Sequence, residues 1–275
     1  MRTYKFDRPD KDPITYRDGK RYLWFLSLLL PLVALMGIML FHATGLEWTL
    51  YLPLVASYVV IPLLDWIIGT DDNNPPEEIV EQLEADTYYR WLTYLTVPMH
   101  FVVLIIMCHF VATHDLSWLA VLATAIIAGG YSGLGINTAH ELGHKKNSHE
   151  KLLAKITLAV PSYGHFSVEH NRGHHVMVAT PEDPASSRMG ESIYAFAFRE
   201  IPNTFLRAWQ LEKARINHQG KSHWSLENEI LQSYLITAVF QGSLIFAFGL
   251  IMIPFLAVHN FWAWFQLTSA NYIEH

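Results

Sequence analysis

LSWLAVLATAIIAGGYSGLGINTAHELGH, residues 116–144, opens as an uninterrupted apolar run and closes on two histidines four residues apart. Leu116 to Ala139 carries no charged side chain, and about 20 apolar residues let a helix cross the hydrocarbon of a bilayer. If the helix continues to His144, His140 and His144 share a face, because positions four apart lie over one another. Both imidazoles can then reach one metal. A membrane span thus leads straight into a candidate metal site.

The rest of the chain supports a membrane reading. Of 275 residues, 51% are hydrophobic and only 16% charged, against about 25% charged in soluble domains. Five further apolar stretches, residues 22–41, 48–68, 91–111, 234–253 and 254–272, are long enough to span. The expected fold class is all-α integral membrane: a six-transmembrane-helix bundle forming one domain over residues 1–275, with a tail at 1–21 and a polar region at 145–231. No small-residue cleavage site follows the first apolar run, so the N-terminus does not read as a cleaved signal.

Lys and Arg set the orientation. Seven of the 19 precede the first span, Arg90 stands before the third, and the other eleven lie between Lys145 and Lys221. Basic residues stay in the cytoplasm, so the N-terminus and residues 145–231 are expected there. The net charge of -6 is too small to imply a partner, and no basic nucleic-acid patch stands out. Cys108 is the single cysteine, which excludes a disulfide, a cysteine zinc site or a cysteine-ligated cluster within the chain.

Histidine is the anomaly. Seven of 15 lie between His140 and His175. His170 and His174 repeat the spacing of four, and His175 adds a neighbour. His275 closes the string Asn271-Tyr272-Ile273-Glu274-His275. On the topology above, three segments deliver His140, His144, His170, His174, His175 and His275 to one side of the membrane. His42, His114, His149, His218, His223 and His259 are isolated and read as surface or core residues. Glu141, Glu169 and Glu274 adjoin candidate ligands, and with His165 they are candidates to hold the ring N–H of a ligand from another segment.

Imidazole suits zinc, copper, iron and nickel. His140-Glu141-Leu142-Gly143-His144 also satisfies the H-E-x-x-H pattern of zinc metalloproteases, so an intramembrane protease with Glu141 as general base is a rival reading. Six histidines exceed the needs of one zinc and suit two irons in a nitrogen environment. No Gly-rich dinucleotide fingerprint follows a strand, so electrons would come from a separate protein. Gly129 and Gly133 have the spacing that lets membrane helices approach closely.

NTAHELGHKK (137–146), EHNRGHHVMVATPEDPASSRMGESIYAF (169–196) and FQLTSANYIEH (265–275), with LTYLTVPMH (92–100), NNPPEE (73–78) and NEILQ (228–232), resemble the integral-membrane alkane 1-monooxygenases. The resemblance runs from about Tyr22 to the last residue. It implies a six-helix membrane bundle and iron ligation by His140, His144, His170, His174, His175 and His275, with no catalytic residue beyond the ligands. It also implies terminal hydroxylation of medium-chain alkanes to primary alcohols, with O2 as co-substrate and two irons as cofactor. Electrons would come from rubredoxin and its NADH-dependent reductase, at a bacterial inner membrane. Membrane fatty-acyl desaturases and hydroxylases share such histidine boxes with different spacing and are the second alternative. In the family the chain continues past the Asn-Tyr-Ile-Glu-His string to another histidine cluster. Here it stops at His275 and resembles a C-terminally shortened form lacking those ligands.

Overall fold

The computed structural model describes residues 2–9, 11–71 and 73–275. They form two compact units, meeting in sequence between Met99 and His100.

In the first unit, the segment expected as a tail is folded. Strands β1 (Arg2–Arg8) and β2 (Lys11–Asp18) form an antiparallel hairpin with Tyr4 opposite Tyr16 and Phe6 opposite Ile14. Aromatic and β-branched cross-strand pairs of this kind stabilise a two-stranded ribbon. A buried carboxylate anchors it. Asp86 accepts hydrogen bonds from Tyr4 Oη at 2.6 Å and Arg2 at 2.9 Å, and it pairs with Arg21. The Arg21 bond holds the Asp86 carboxyl well below the usual carboxylate range. Asp86 also accepts the backbone N–H of Tyr88, capping the helix that starts at Thr87. Spacing along the sequence hides this arrangement because its charges lie more than 60 residues apart.

Helices α1 (Leu23–Thr44) and α2 (Glu47–Ile68) follow the hairpin. Gly45, at φ 71°, ends α1 in the left-handed conformation that glycine adopts without strain. A Cβ on Gly37 would stand 3.0 Å from Leu50 Cα, so this glycine lets α1 and the start of α2 touch. Helix α3 (Glu77–Glu84) is short, and α4 (Thr87–Thr113) runs on into the second unit.

In the second unit, α5 (Trp118–Gly143) begins at Ser117, whose hydroxyl accepts the N–H of Ala120. It is followed by α6 (Ser148–Ala159), α7 (residues 166–177), α8 (Ile193–His218), α9 (Glu229–Phe248) and α10 (Met252–Glu274). Asn147, Ser192 and Asn228 cap α6, α8 and α9 through their side chains, satisfying backbone donors that the first turn leaves free.

Among the described residues, five helices are long and apolar enough to cross a membrane: α1, α2, α4, α5 and α9. Helix α10, where the sixth span was expected at 254–272, has the length but not the hydropathy. Two of its polar residues, His259 and Asn260, are paired within the unit. His259 is fully buried, with Nε2 2.8 Å from Ser132 Oγ on α5, and Asn260 exchanges hydrogen bonds with Gln241 on α9. Gly129 and Gly133 let α10 approach α5: a Cβ on Gly129 would lie 2.6 Å from His259 O, and one on Gly133 3.0 Å from Gln266 Cβ. Close packing of α5 and α10 sets the frame for the ends that carry His140, His144 and His275.

Candidate metal centre

The last turn of α5 presents His140 and His144, and their Nε2 atoms are 2.9 Å apart. His144 Nε2 is 3.4 Å from His175 Nε2. The His170 ring lies 4.5 Å from that of His140 and 4.4 Å from that of His175, centroid to centroid. Among the described residues, His140, His144, His170 and His175 form a group whose ligand atoms all lie within 4.8 Å of one another.

A local backbone feature builds this group. Residues 170–174 form a π turn, in which the N–H of His175 bonds to the carbonyl of His170. On a regular α-helix, residues 170 and 174 would share a face. The extra residue in the π turn brings 175 round to the side of 170, and such insertions recur at functional sites. The rings of His170 and His174, paired by their spacing in the sequence, are stacked with centroids 5.3 Å apart. His175 joins the group of four, while His174 stands beside it, its ring 4.8 Å from that of His275.

The donor set fits a metal. Imidazole–metal bonds of about 2.1 Å put two ligand nitrogens about 3.0 Å apart at a right angle and about 3.4 Å apart at the tetrahedral angle. The separations of 2.9 and 3.4 Å match these values. His170 Nε2 is buried with no hydrogen-bond partner, an arrangement that is costly unless something accepts its lone pair. Burial, reinforced by the neighbouring imidazoles, pushes His170 down to about 2. Burial likewise lowers His144 and His175. All three are neutral imidazoles at neutral pH, with no proton to displace should a metal bind.

His174 has an orienting carboxylate that sequence reading did not single out. Its Nδ1 lies 2.9 Å from Asp183 Oδ2, and both side chains are buried. Asp183 also accepts from Ser186 Oγ at 2.7 Å, Ala185 N at 3.3 Å and Arg207 at 2.9 Å. Burial alone would raise the Asp183 carboxyl, but the bonds from His174 and Ser186 outweigh it and hold it well below the usual range. A fixed carboxylate keeps the His174 proton on Nδ1 and leaves Nε2 as a lone-pair donor. The local signal was Thr180-Pro181-Glu182-Asp183-Pro184, a turn-forming run just after the histidines.

The expected supporting groups take different places. Glu169 is buried and pairs with Arg207, which joins it to Asp183. Glu141 is exposed, 3.5 Å from Nδ1 of its own neighbour His140 rather than a ligand from another segment. Glu274 is exposed, 4.0 Å from His275 Nε2. His165 hydrogen-bonds Tyr234 Oη, and its ring meets Tyr163 and Phe205 rather than a clustered histidine. His100, inside α4, packs against Tyr131 and the face of Gly135.

A family model described as fatty acid desaturase matches residues 116–275, the part that holds every histidine of the centre. The alkane 1-monooxygenase of Ectopseudomonas oleovorans is 53% identical over 262 residues, 94% of this chain and 65% of that protein. Alkane 1-monooxygenase 1 of Alcanivorax borkumensis is 50% identical over 270 residues, 98% of this chain and 66% of that protein. Alkane 1-monooxygenase 1 of Pseudomonas aeruginosa is 36% identical over 268 residues, 96% of this chain and 70% of that protein. The chain belongs to the alkane 1-monooxygenase family. It spans about two thirds of the length of these relatives. Membership removes the protease reading, in which Glu141 would face the metal. The histidines that converge from α5 and α7 are a candidate iron site, and the long apolar helices mark a membrane protein.

Proposed function

We propose that this chain is the membrane-embedded, diiron part of a monooxygenase that hydroxylates the terminal carbon of medium-chain alkanes to primary alcohols. O2 is the co-substrate, and rubredoxin, with its NADH-dependent reductase, supplies the electrons. The observation behind this reading is the convergence of His140, His144, His170 and His175, with His174 and His275 beside them, in a chain of this family.

His140, His144, His170 and His175 would hold one iron, and His174 and His275 would serve a second. When bound, iron supplies the O2 activation that an unactivated C–H bond requires, chemistry beyond amino-acid side chains. The chain's own residues position that chemistry. Asp183 fixes the tautomer and angle of His174, and Arg207 locks Asp183 to Glu169. The π turn holds His175 on the side of His170. An alkane has no polar handle, so a narrow apolar passage among the helices would orient it.

The same reading places the chain in a bacterial inner membrane as one oxygenase domain with six spans. Helix α10 is the sixth, and the N-terminus and the histidines face the cytoplasm. The clustering of Lys and Arg before α1, before α4 and between Lys145 and Lys221 supports that orientation. Rubredoxin would then meet the basic segment that surrounds the histidines. A fatty-acyl desaturase or hydroxylase is the second reading, favoured only by the description of the family match to residues 116–275.

The test is turnover by full-length protein with rubredoxin, its reductase and NADH. The account expects 1-octanol from octane, none with His170→Ala, and no double bond introduced into acyl chains. Acyl desaturation without octanol would replace the proposal with the second reading.

A further inference from the structure

The loop between α7 and α8, residues 178–192, is bonded to the segments that carry His174 and His275, and one guanidinium ties it to α8. Arg199, near the start of α8, donates Nε to Glu191 Oε1 at 2.9 Å and Nη2 to Glu191 Oε2 at 2.7 Å. The same side chain donates to the carbonyls of Pro184 at 3.0 Å and Ser186 at 2.9 Å. Both members of the ion pair are largely buried, with 17% and 12% of their side chains exposed. The Arg199 bond holds the Glu191 carboxyl below the usual carboxylate range, so the pair stays ionised. The planar fork of arginine makes this arrangement possible, whereas the single nitrogen of a lysine would not span the same acceptors.

What Arg199 fixes lies on two sides. On one, Pro184 and Ser186 belong to the turn that follows Asp183, the carboxylate bonded to His174. Within that turn Ser186 Oγ donates to Asp183 at 2.7 Å and accepts the N–H of Ala179 at 2.9 Å. On the other side, the Glu191 carbonyl accepts the Tyr272 hydroxyl of α10 at 2.6 Å. The Tyr272 ring packs on Phe196 with centroids 5.6 Å apart, and the Arg199 guanidinium carbon lies 5.2 Å from the centroid of that same Phe196. Asn271 adds a tie to α8 by donating to Glu200 Oε1 at 2.6 Å. The His275 N–H in turn bonds to the Asn271 carbonyl at 3.1 Å. Residues at a helix end are poorly ordered unless tied down, and these bonds are the ties that leave the His275 ring 4.8 Å from that of His174.

We propose that Arg199 is a positioning residue for the second iron: clamped to Glu191, it holds the Asp183 turn and the end of α10 together so that His174 and His275 face one another. It touches neither histidine and acts through Asp183 on one side and Tyr272 on the other. The clamp itself stands on these contacts, and only the iron rests on the reading of His174 and His275 given above. The four clustered histidines, on α5 and α7, do not depend on it.

Two readouts on full-length protein in detergent test this without turnover. The first is iron per chain after exposure to a chelator. Arg199→Gln should keep the iron of the clustered histidines and lose the other, while Arg215→Gln, which breaks a comparable ion pair with Glu212 further along α8, should match the unsubstituted protein. The second is amide hydrogen exchange after the iron is stripped. Arg199→Gln should speed exchange in residues 178–191 and 268–275 by about 10–100-fold, the effect of losing hydrogen bonds to a charged group. Tyr272→Phe keeps the ring on Phe196 and the ion pair, so it should speed exchange in 268–275 alone, and it carries the test should Arg199→Gln fail to fold. Unchanged exchange in either variant would overturn the proposal. So would both irons retained in Arg199→Gln, or both lost in step, which would mark Arg199 as general support for the fold. Fewer than two irons in unsubstituted protein would instead sink the two-iron reading, and the exchange data would still decide the clamp.

Discussion

Asp183→Asn tests whether the carboxylate behind His174 works as an orienting group. The asparagine is nearly isosteric, so packing is kept while the charge is lost. Asp183 accepts from His174, Ser186, Ala185 and Arg207, and its side chain is completely buried. One oxygen of the new amide becomes a donor. If that nitrogen faces His174, the imidazole must move its proton to Nε2 and ceases to be a ligand. If it faces Arg207, two donors meet in a buried space. Loss of a group that orients a metal ligand typically costs about 10–100-fold in metal affinity or activity. Hydrogen bonds to a charged partner contribute about 1.5–3 kcal/mol each, so the fold should also weaken measurably. The assay is iron retention against a graded chelator series, with thermal melting followed by circular dichroism. Ser186→Ala is the control, since it removes one neutral hydrogen bond and should cost about 1 kcal/mol of stability with little effect on iron. Undiminished iron affinity and octane turnover in Asp183→Asn would refute the orienting role.

Further outcomes follow from the same geometry. Alanine at His140, His144, His170 or His175 should abolish iron retention and turnover, while the exposed His149→Ala and His218→Ala should keep most of both, as read by metal analysis and octanol formation. Glu200 is buried, accepts from Asn271 at 2.6 Å, and is pushed up by burial to about 7. Its folded value lies above its unfolded one, so the stability it contributes is full below about pH 4.5 and is lost as pH rises towards about 7. Glu200→Gln keeps the acceptor for Asn271 and should therefore melt higher than the unsubstituted protein at pH 8, by up to about 3 kcal/mol, with no difference at pH 4.5. Gly129→Val should force α5 and α10 apart and cost about 1–3 kcal/mol or more, seen as a lower melting temperature. Reduction by rubredoxin should slow as salt rises, because the Lys145–Lys221 segment would steer an acidic donor; stopped-flow rates indifferent to ionic strength would count against docking there.

Much of the architecture was legible because lipid imposes simple rules on sequence. Apolar runs of about 20 residues read directly as helices, and Gly129 and Gly133 foretold a close helix approach, though only the fold names α10 as the partner. His140 and His144 were legible because a regular helix fixes their relation. That His175 rather than His174 turns to the side of His170 was not, because a π turn is a local departure that no periodicity announces. Asp183 escaped notice because it reaches His174 through a turn rather than along a helix face. The N-terminal hairpin was hidden for a related reason. Its anchor, Asp86, is far away in sequence, and a short basic, aromatic segment looks the same whether it is free or tied down. The polar residues of α10 lowered its hydropathy, and only the fold reveals their partners on α5 and α9.

The central claim is that these histidines bind iron in a nitrogen environment and that the iron performs the hydroxylation. X-ray absorption at the iron edge, on full-length protein that converts octane to 1-octanol, tests it most directly. The account predicts two irons per chain with a first shell dominated by imidazole nitrogen, and loss of that signal together with turnover in His170→Ala. Active protein that holds zinc without iron, or iron whose nitrogen shell is unchanged in His170→Ala, would contradict it.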